Sequence, residues 1–335
     1  MKKKRSPFTY ALGMAAGLAA GWAVAQQVWV YRQIRRDVYE TLATQKNELK
    51  TGLTFERTEE AKKYTIRHTV EDGIERIVYT PKERRFKTPI VMQHGMWHGA
   101  WCWHLWQELL AEQGWETHAH SLPGHAGSPT QRPIPLCTLD YYLSFLKTEV
   151  QRHEQTPVLM GHSMGGALTQ WYLKYVGDNL PAAVLAAPWV SHSTMADGGV
   201  HIVKRDPLVV PLTSLAWSAW PWVRNPRRAA ENLISPRAVY TPEELHAKLG
   251  NESVIVTYQH NPPFWYPPEN VQTPMLLLAG EEDAVVTLEG LRRSAAHYGA
   301  DFVVAQEAGH NLMMEHNYRE LAQEIHAWLV GQGVG

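Results

Sequence analysis

Gly161-His162-Ser163-Met164-Gly165 sets a serine between two glycines, each two residues away. A serine hydroxyl becomes a useful nucleophile only when a base takes its proton, so a histidine must stand near it. The chain has 17 histidines, too many for presence alone to decide. His310 stands apart, because Glu307-Ala308-Gly309-His310 follows a short apolar run and precedes a helix-like segment ending near Val330. The third partner should be a carboxylate that holds the imidazole tautomer and stabilises its charged form. Asp283, in Gly280-Glu281-Glu282-Asp283 after the apolar run 275–279, fills that place, with Glu282 as its competitor and Glu281 behind it. Tetrahedral intermediates also need backbone N–H donors aimed at the developing oxyanion. Those donors are assigned to Met96, in His94-Gly95-Met96-Trp97, and to Met164, with Trp97 the adjacent alternative to Met96. The chemistry is acyl transfer through a covalent serine intermediate, for which neither metal nor cofactor is expected.

These residues need elements to hold them. Short apolar runs at 89–93, 117–120, 157–160, 182–186, 274–279 and 302–305 are flanked by turns, with helix-like segments such as 139–152 and 167–176 between them. Buried strands alternating with amphipathic helices predict an α/β fold with a mostly parallel sheet covered on both faces. Ser163 then sits on a sharp strand-to-helix turn, and Asp283 and His310 lie just past the carboxyl ends of later strands. Residues 64–80 read as a hairpin around Asp72-Gly73. The alternation breaks at 188–268, which is long, rich in Trp and Pro, and holds no predicted strand; it reads as an inserted cap. Its Trp189, Trp217, Trp220, Trp222, Phe264, Trp265 and Tyr266 either line an apolar acyl or aryl pocket or hold the cap together.

The ordered set His94-Gly95, Gly161-x-Ser163-x-Gly165, Asp283 and His310 resembles the α/β-hydrolase superfamily over 64–330. The order Ser, Asp, His is that family's, and differs from chymotrypsin-like and subtilisin-like proteases. Leu122-Pro123-Gly124-His125-Ala126-Gly127-Ser128 is similar to the loop that often follows the next strand there. The stretch His94-Gly95-Met96-Trp97-His98-Gly99-Ala100-Trp101-Cys102-Trp103 more narrowly resembles plant-type methylesterases and hydroxynitrile lyases. The lyases also depend on a lysine near the acid, where this chain has Ala284-Val285-Val286. Relatives that form an ester on an aspartate need a carboxylate at position 163. The resemblance implies acyl transfer by a serine hydrolase, and with the cap aromatics the leading reading is a carboxylic ester hydrolase acting on an apolar or aromatic ester. The same triad could serve an amide, thioester or carbon–carbon bond hydrolase or an acyltransferase, and a tethered, non-catalytic binding protein is the third reading.

Composition sets the outer limits. Hydrophobic residues make up 44% of the chain, enough for a large core, and the net charge of −1 gives no reason to expect nucleic acid as a partner. Oligomeric state is not legible. Cys102 and Cys137 fit no disulfide framework or metal motif and read as unrelated thiols. His118, His120 and His125 lack the carboxylate that would complete a metal set. At the N-terminus Lys2-Lys3-Lys4-Arg5 precedes an uncharged run at 6–31, and Arg32, Arg35 and Arg36 follow. Residues 1–31 are expected to be a single-pass membrane anchor with the enzyme outside the cytoplasm, 32–63 a charged stalk, and 64–332 the hydrolase domain with its cap at 188–268. Ala23-Val24-Ala25 also suits a signal-peptidase site, which would instead release a secreted or periplasmic protein. Gly13, Gly17 and Gly21 share one helix face.

Overall fold

The computed structural model describes residues 21–335 apart from 23, 26, 27, 36 and 194. Nine strands follow in chain order: β1 Leu53–Glu60, β2 Tyr64–Glu71, β3 Ile74–Pro81, β4 Ile90–Gln93, β5 Thr117–His120, β6 Val158–His162, β7 Ala183–Ala186, β8 Met275–Gly280 and β9 Asp301–Ala305. They form one sheet in the order β1-β2-β3-β5-β4-β6-β7-β8-β9. β1, β2 and β3 pair antiparallel, and β3 meets β5 antiparallel. From β5 across to β9 every pair is parallel. All residues of β4, β6, β7 and β8 are buried, which is why those runs are apolar without alternation.

The chain leaves β4 toward β5 on one side and returns to β6 on the other. Connections that depart in opposite directions open a crevice beyond the carboxyl ends of the two strands. The registers bring Gln93 beside Gly161 and His162 beside Ala186, so the loops after β4 and β6 emerge together at that crevice. The helix Leu139–Gln151 begins where Thr138 accepts a hydrogen bond from the Tyr141 N–H, and Thr287 does the same for Leu288–Tyr298. Between β7 and β8 the described residues hold only turns and short helices, among them Val200–Arg205, Val209–Ala216, Pro226–Leu233, Pro242–His246 and Ile255–Gln259.

The stretch 32–63, expected as a stalk, supplies structure of its own. Helix Val38–Thr44 lies against Leu139–Gln151, where the Thr41 hydroxyl donates to Asp140 at 2.8 Å. β1 then extends the sheet at its edge with every residue exposed. Charged and threonine side chains protect such an edge from pairing with other chains, and they also conceal a strand in the sequence. The predicted membrane segment at 1–31 falls mostly outside the described residues, as do Gly13 and Gly17. Among the described residues no helix is long and apolar enough to cross a membrane. Residues 28–34 are helical and pack Val30 and Ile34 against Ile255 of the cap.

Candidate active site

Ser163 joins β6 to the helix Met164–Tyr175 at φ 53° and ψ −115°. An L-residue at positive φ is strained, and here the strain turns the side chain out of the sheet at the strand end. Glycines make the turn possible. A methyl group at Gly161 would overlap the Gly165 carbonyl, and one at Gly165 would overlap the Gln93 carbonyl of β4. The helix Met164–Tyr175 therefore sits directly on the neighbouring strand.

His310 and Asp283 converge on this turn. The Ser163 hydroxyl lies 2.8 Å from His310 Nε2, and His310 Nδ1 lies 2.8 Å from an Asp283 carboxylate oxygen. The second Asp283 oxygen accepts from the N–H groups of Val285 at 2.7 Å and Val286 at 3.0 Å. Both oxygens are thus occupied by donors, and the carboxylate cannot rotate away from the imidazole. The side chains of His310 and Asp283 are each 1% exposed. Glu281 and Glu282, the competing carboxylates, are exposed instead. A serine that donates to a histidine held by an ionised carboxylate is the arrangement that makes a hydroxyl nucleophilic.

The loop after β4 lies over the serine, since a Cβ on Gly95 would stand 2.9 Å from the Ser163 Cβ. Met96, Trp97 and Ser163 line one small cavity, and Met164 is buried at the helix start. His94 fastens the loop: its Nδ1 donates to Gly95 O at 2.7 Å and its Nε2 accepts from Leu122 N at 3.0 Å. Complete burial, with His125 nearby, pushes the His94 pKa well below the usual histidine value, which suits a ring that both donates and accepts.

Supporting side chains surround these residues, and of them Asn311, Glu315, Ser235 and Glu252 stand in no motif of the sequence. His98 Nδ1 donates to Met96 O at 2.6 Å, and its Nε2 accepts from the Asn311 amide at 3.1 Å. The two side chains tie the loop after β4 to the loop that carries His310, and burial lowers the His98 pKa to about 4. His162 donates to His310 O at 3.2 Å. Glu315 accepts from Ser235 N at 2.8 Å and from the Ser235 hydroxyl at 2.5 Å, clamping the histidine loop to the cap; burial raises its pKa. Glu252 of the cap accepts from His125 at 3.0 Å and from the Tyr142 hydroxyl at 2.9 Å. For Glu315 and Glu252 the only sequence signal is polarity, whereas His98 and His162 lie within the motifs themselves.

The histidines weighed as metal ligands are dispersed. His118 pairs with Glu116 at 2.8 Å, while His125 faces Glu252. Among the described residues no group of three or more His, Cys, Asp or Glu side chains could hold a metal ion. Cys102 and Cys137 are both free and buried.

The cavity at Ser163 measures about 20 Å³ and is lined by Met96, Trp97, Trp189, Ile202, Trp222 and Val285. Of the seven cap aromatics, Trp189 and Trp222 reach it. Trp265 is buried elsewhere, stacked on Trp171 of the nucleophile helix at 5.4 Å. A second, wider cavity of about 520 Å³ lies where Ser235, Tyr240, Glu282, Ala284 and Gly309 meet His310.

Comparison with known proteins bears on the same elements. The chain is 28% identical over 112 residues to a pyrethroid hydrolase of Sphingobium wenxiniae, covering 32% of this chain and 40% of that protein. It is 34% identical over 111 residues to methylesterase 2 of Arabidopsis thaliana, covering 32% and 42% of the two chains. These alignments span well under half of either relative's length. In fold the chain resembles a monoacylglycerol lipase of Paleococcus ferrophilus, with a TM-score of 0.55 at 20% identity over 77% of this chain and 99% of the other. Residues 90–324, from β4 to the last helix, match the family model described as the alpha/beta hydrolase family. With the switch-point crevice and the strained serine turn already in place, that match settles where the chain belongs: it is a member of the alpha/beta hydrolase family.

Proposed function

We propose that this protein is a serine hydrolase that cleaves a carboxylic ester of an apolar or aromatic substrate through an acyl-enzyme on Ser163. One observation carries the reading: Ser163 Oγ, His310 and Asp283 form a continuous chain of two 2.8 Å hydrogen bonds in a buried site. In the first step Ser163 Oγ attacks the ester carbonyl while His310 Nε2 takes its proton. The carbonyl oxygen becomes an oxyanion held by the backbone N–H groups of Met96 and Met164. Collapse breaks the bond to the alcohol, which leaves with the proton from His310. Water then repeats the sequence on the acyl-enzyme, with His310 first as base and then as acid. Asp283 keeps Nδ1 protonated throughout.

The apolar preference draws on Trp97, Trp189, Ile202 and Trp222 around the serine. The ester preference draws on the methylesterase and hydrolase relatives. A fluorophosphonate probe should label Ser163 in folded protein, and Ser163→Ala should abolish both labelling and ester turnover. Retained turnover in that variant overturns the reading. Panels of ester, amide and thioester substrates separate the intended bond from others the same triad can cleave.

We also propose that the N-terminal segment tethers the enzyme to a membrane, with the catalytic domain outside the cytoplasm. The support is the uncharged run at 6–31, and for orientation the denser basic cluster Lys2-Lys3-Lys4-Arg5 before it than Arg32, Arg35 and Arg36 after it. Fractionation with intact-mass measurement tests it, because cleavage after Ala25 yields a lighter, soluble species.

A further inference from the structure

The cap turns an apolar helix face outward. Leu208, Pro211, Leu212 and Leu215 recur at the spacing of one face along the helix Val209–Ala216. In a cap that otherwise packs inward this face should be buried, yet Leu208 is 62% and Leu215 72% exposed. On the adjoining helix, Val200 and Val203 are also exposed, as is Lys204. Trp217, at the end of the first helix, packs edge-on against Trp29 with ring centroids 5.0 Å apart. Trp22, Leu136 and Trp217 border an apolar groove of about 480 Å³ beside that contact. The outward face is thus continuous with the N-terminal helical residues.

Charge identifies what covers it. No acidic residue precedes Asp37, and of the described residues before it Arg32 and Arg35 carry positive charge close to Tyr258 and Phe264 of the cap. The chain as a whole carries a net charge of −1, so this end is strongly polarised. An apolar stripe joined through the Trp217–Trp29 contact to a helical segment that carries Arg32 and Arg35 and no carboxylate matches the interfacial zone of a bilayer with anionic headgroups. We propose that Leu208, Leu212, Leu215, Val200 and Val203 form a docking face on which the cap lies against an anionic lipid bilayer.

The face has a connection to the active site. Ile202, between Val200 and Val203, points the other way and lines the cavity at Ser163. That cavity, at about 20 Å³, is far smaller than the roughly 300–1,000 Å³ of an ordinary ligand pocket. One helix therefore meets lipid on its outer side and roofs the serine on its inner side, so docking favours opening toward esters dissolved in the bilayer. This last step rests on the hydrolase reading, whereas the docking does not.

Full-length protein carrying Leu215→Cys and an environment-sensitive fluorophore tests the face, since Cys102 and Cys137 are buried at 0% exposure and escape labelling. The protein is mixed with vesicles of phosphatidylcholine, alone or with phosphatidylglycerol. The expected result is a blue shift on the phosphatidylglycerol vesicles, quenched by brominated acyl chains and unchanged when Ser163→Ala is added. Leu208→Asp with Leu215→Asp should lower hydrolysis of a vesicle-borne ester by about fivefold or more while sparing a soluble short-chain ester. Protein that sediments with the vesicles while the label keeps its aqueous emission overturns the proposal, because the N-terminal segment alone then holds it. A blue shift that grows with protein concentration in the absence of lipid also overturns it, assigning the face to a second copy of the chain.

Discussion

At Ser163 a positive φ of 53° is tolerated because β6 and the following helix fix both sides of the turn. Asp283 is held as firmly by its own local turn, through Val285 N and Val286 N, as by His310. Asp283→Asn would keep the acceptor for those backbone donors but point an amide N–H at His310 Nδ1. The imidazole would then prefer the wrong tautomer, and kcat should fall about 10⁴-fold with little change in folding, as read from steady-state kinetics and circular dichroism. Glu282→Gln is the matching control. Its side chain is exposed, so activity should stay within about twofold of the parent. Equal losses in the two variants would move the acid away from Asp283.

Elements meet through close contact at some points and through single polar residues at others. The nucleophile helix rests on β4 because Gly165 lacks a side chain, so Gly165→Ala must push the two apart. Its melting temperature should drop by about 5 °C or more, with activity falling in parallel. His98 joins two loops that the chain separates widely. His98→Ala frees the Met96 carbonyl and strips the Asn311 amide of its acceptor. The oxyanion loop then loses its fixed orientation, and kcat should fall about 10–100-fold while KM changes little. A change confined to KM would place His98 in substrate binding instead. Read from the sequence, the strand at 117–120 matched its structural bounds, because a short run between turns with three of its four residues buried has few other conformations. The helix after Ser163 starts at Met164, one residue before the Gly165-Gly166-Ala167-Leu168 run that the sequence marks as its opening. Gly165 and Gly166 weaken the helical signal, and only packing against neighbouring carbonyls and Pro188 requires them there.

Across the molecule, five histidines are fully buried with pKa values pushed below the ordinary range. Burial pushes His98 and His120 down to about 4 and His260 to about 3, while His94 and His162 fall well below the ordinary value. The unfolded chain binds protons at these sites near pH 6.5, and the folded chain does not. Stability contributed by keeping them neutral is therefore present above about pH 6.5 and lost as pH falls toward 4. Each such histidine contributes a slope of about 1.4 kcal/mol per pH unit inside that window. Urea unfolding midpoints measured from pH 7.5 downward should hold steady at first and then fall steeply below about pH 6. A flat profile would mean that these rings find charged partners on protonation.

The sequence by itself carried the family resemblance, the mostly parallel sheet and the candidacy of Ser163, Asp283 and His310. Each rests on short-range order: a strand followed by a glycine-bounded turn, or a carboxylate and a histidine placed just past successive strands. What the tertiary structure alone decided is long-range. It assembled the three residues at hydrogen-bonding distance and separated Trp189 and Trp222, which face the serine, from Trp265, which binds the cap to the nucleophile helix. It joined His98 to Asn311 and Glu315 to Ser235. It also drew 53–60 into the sheet as a charged edge strand and left the stripe from Leu208 to Leu215 facing outward. Such choices depend on which surfaces meet across the fold, and residue spacing along the chain holds no record of that.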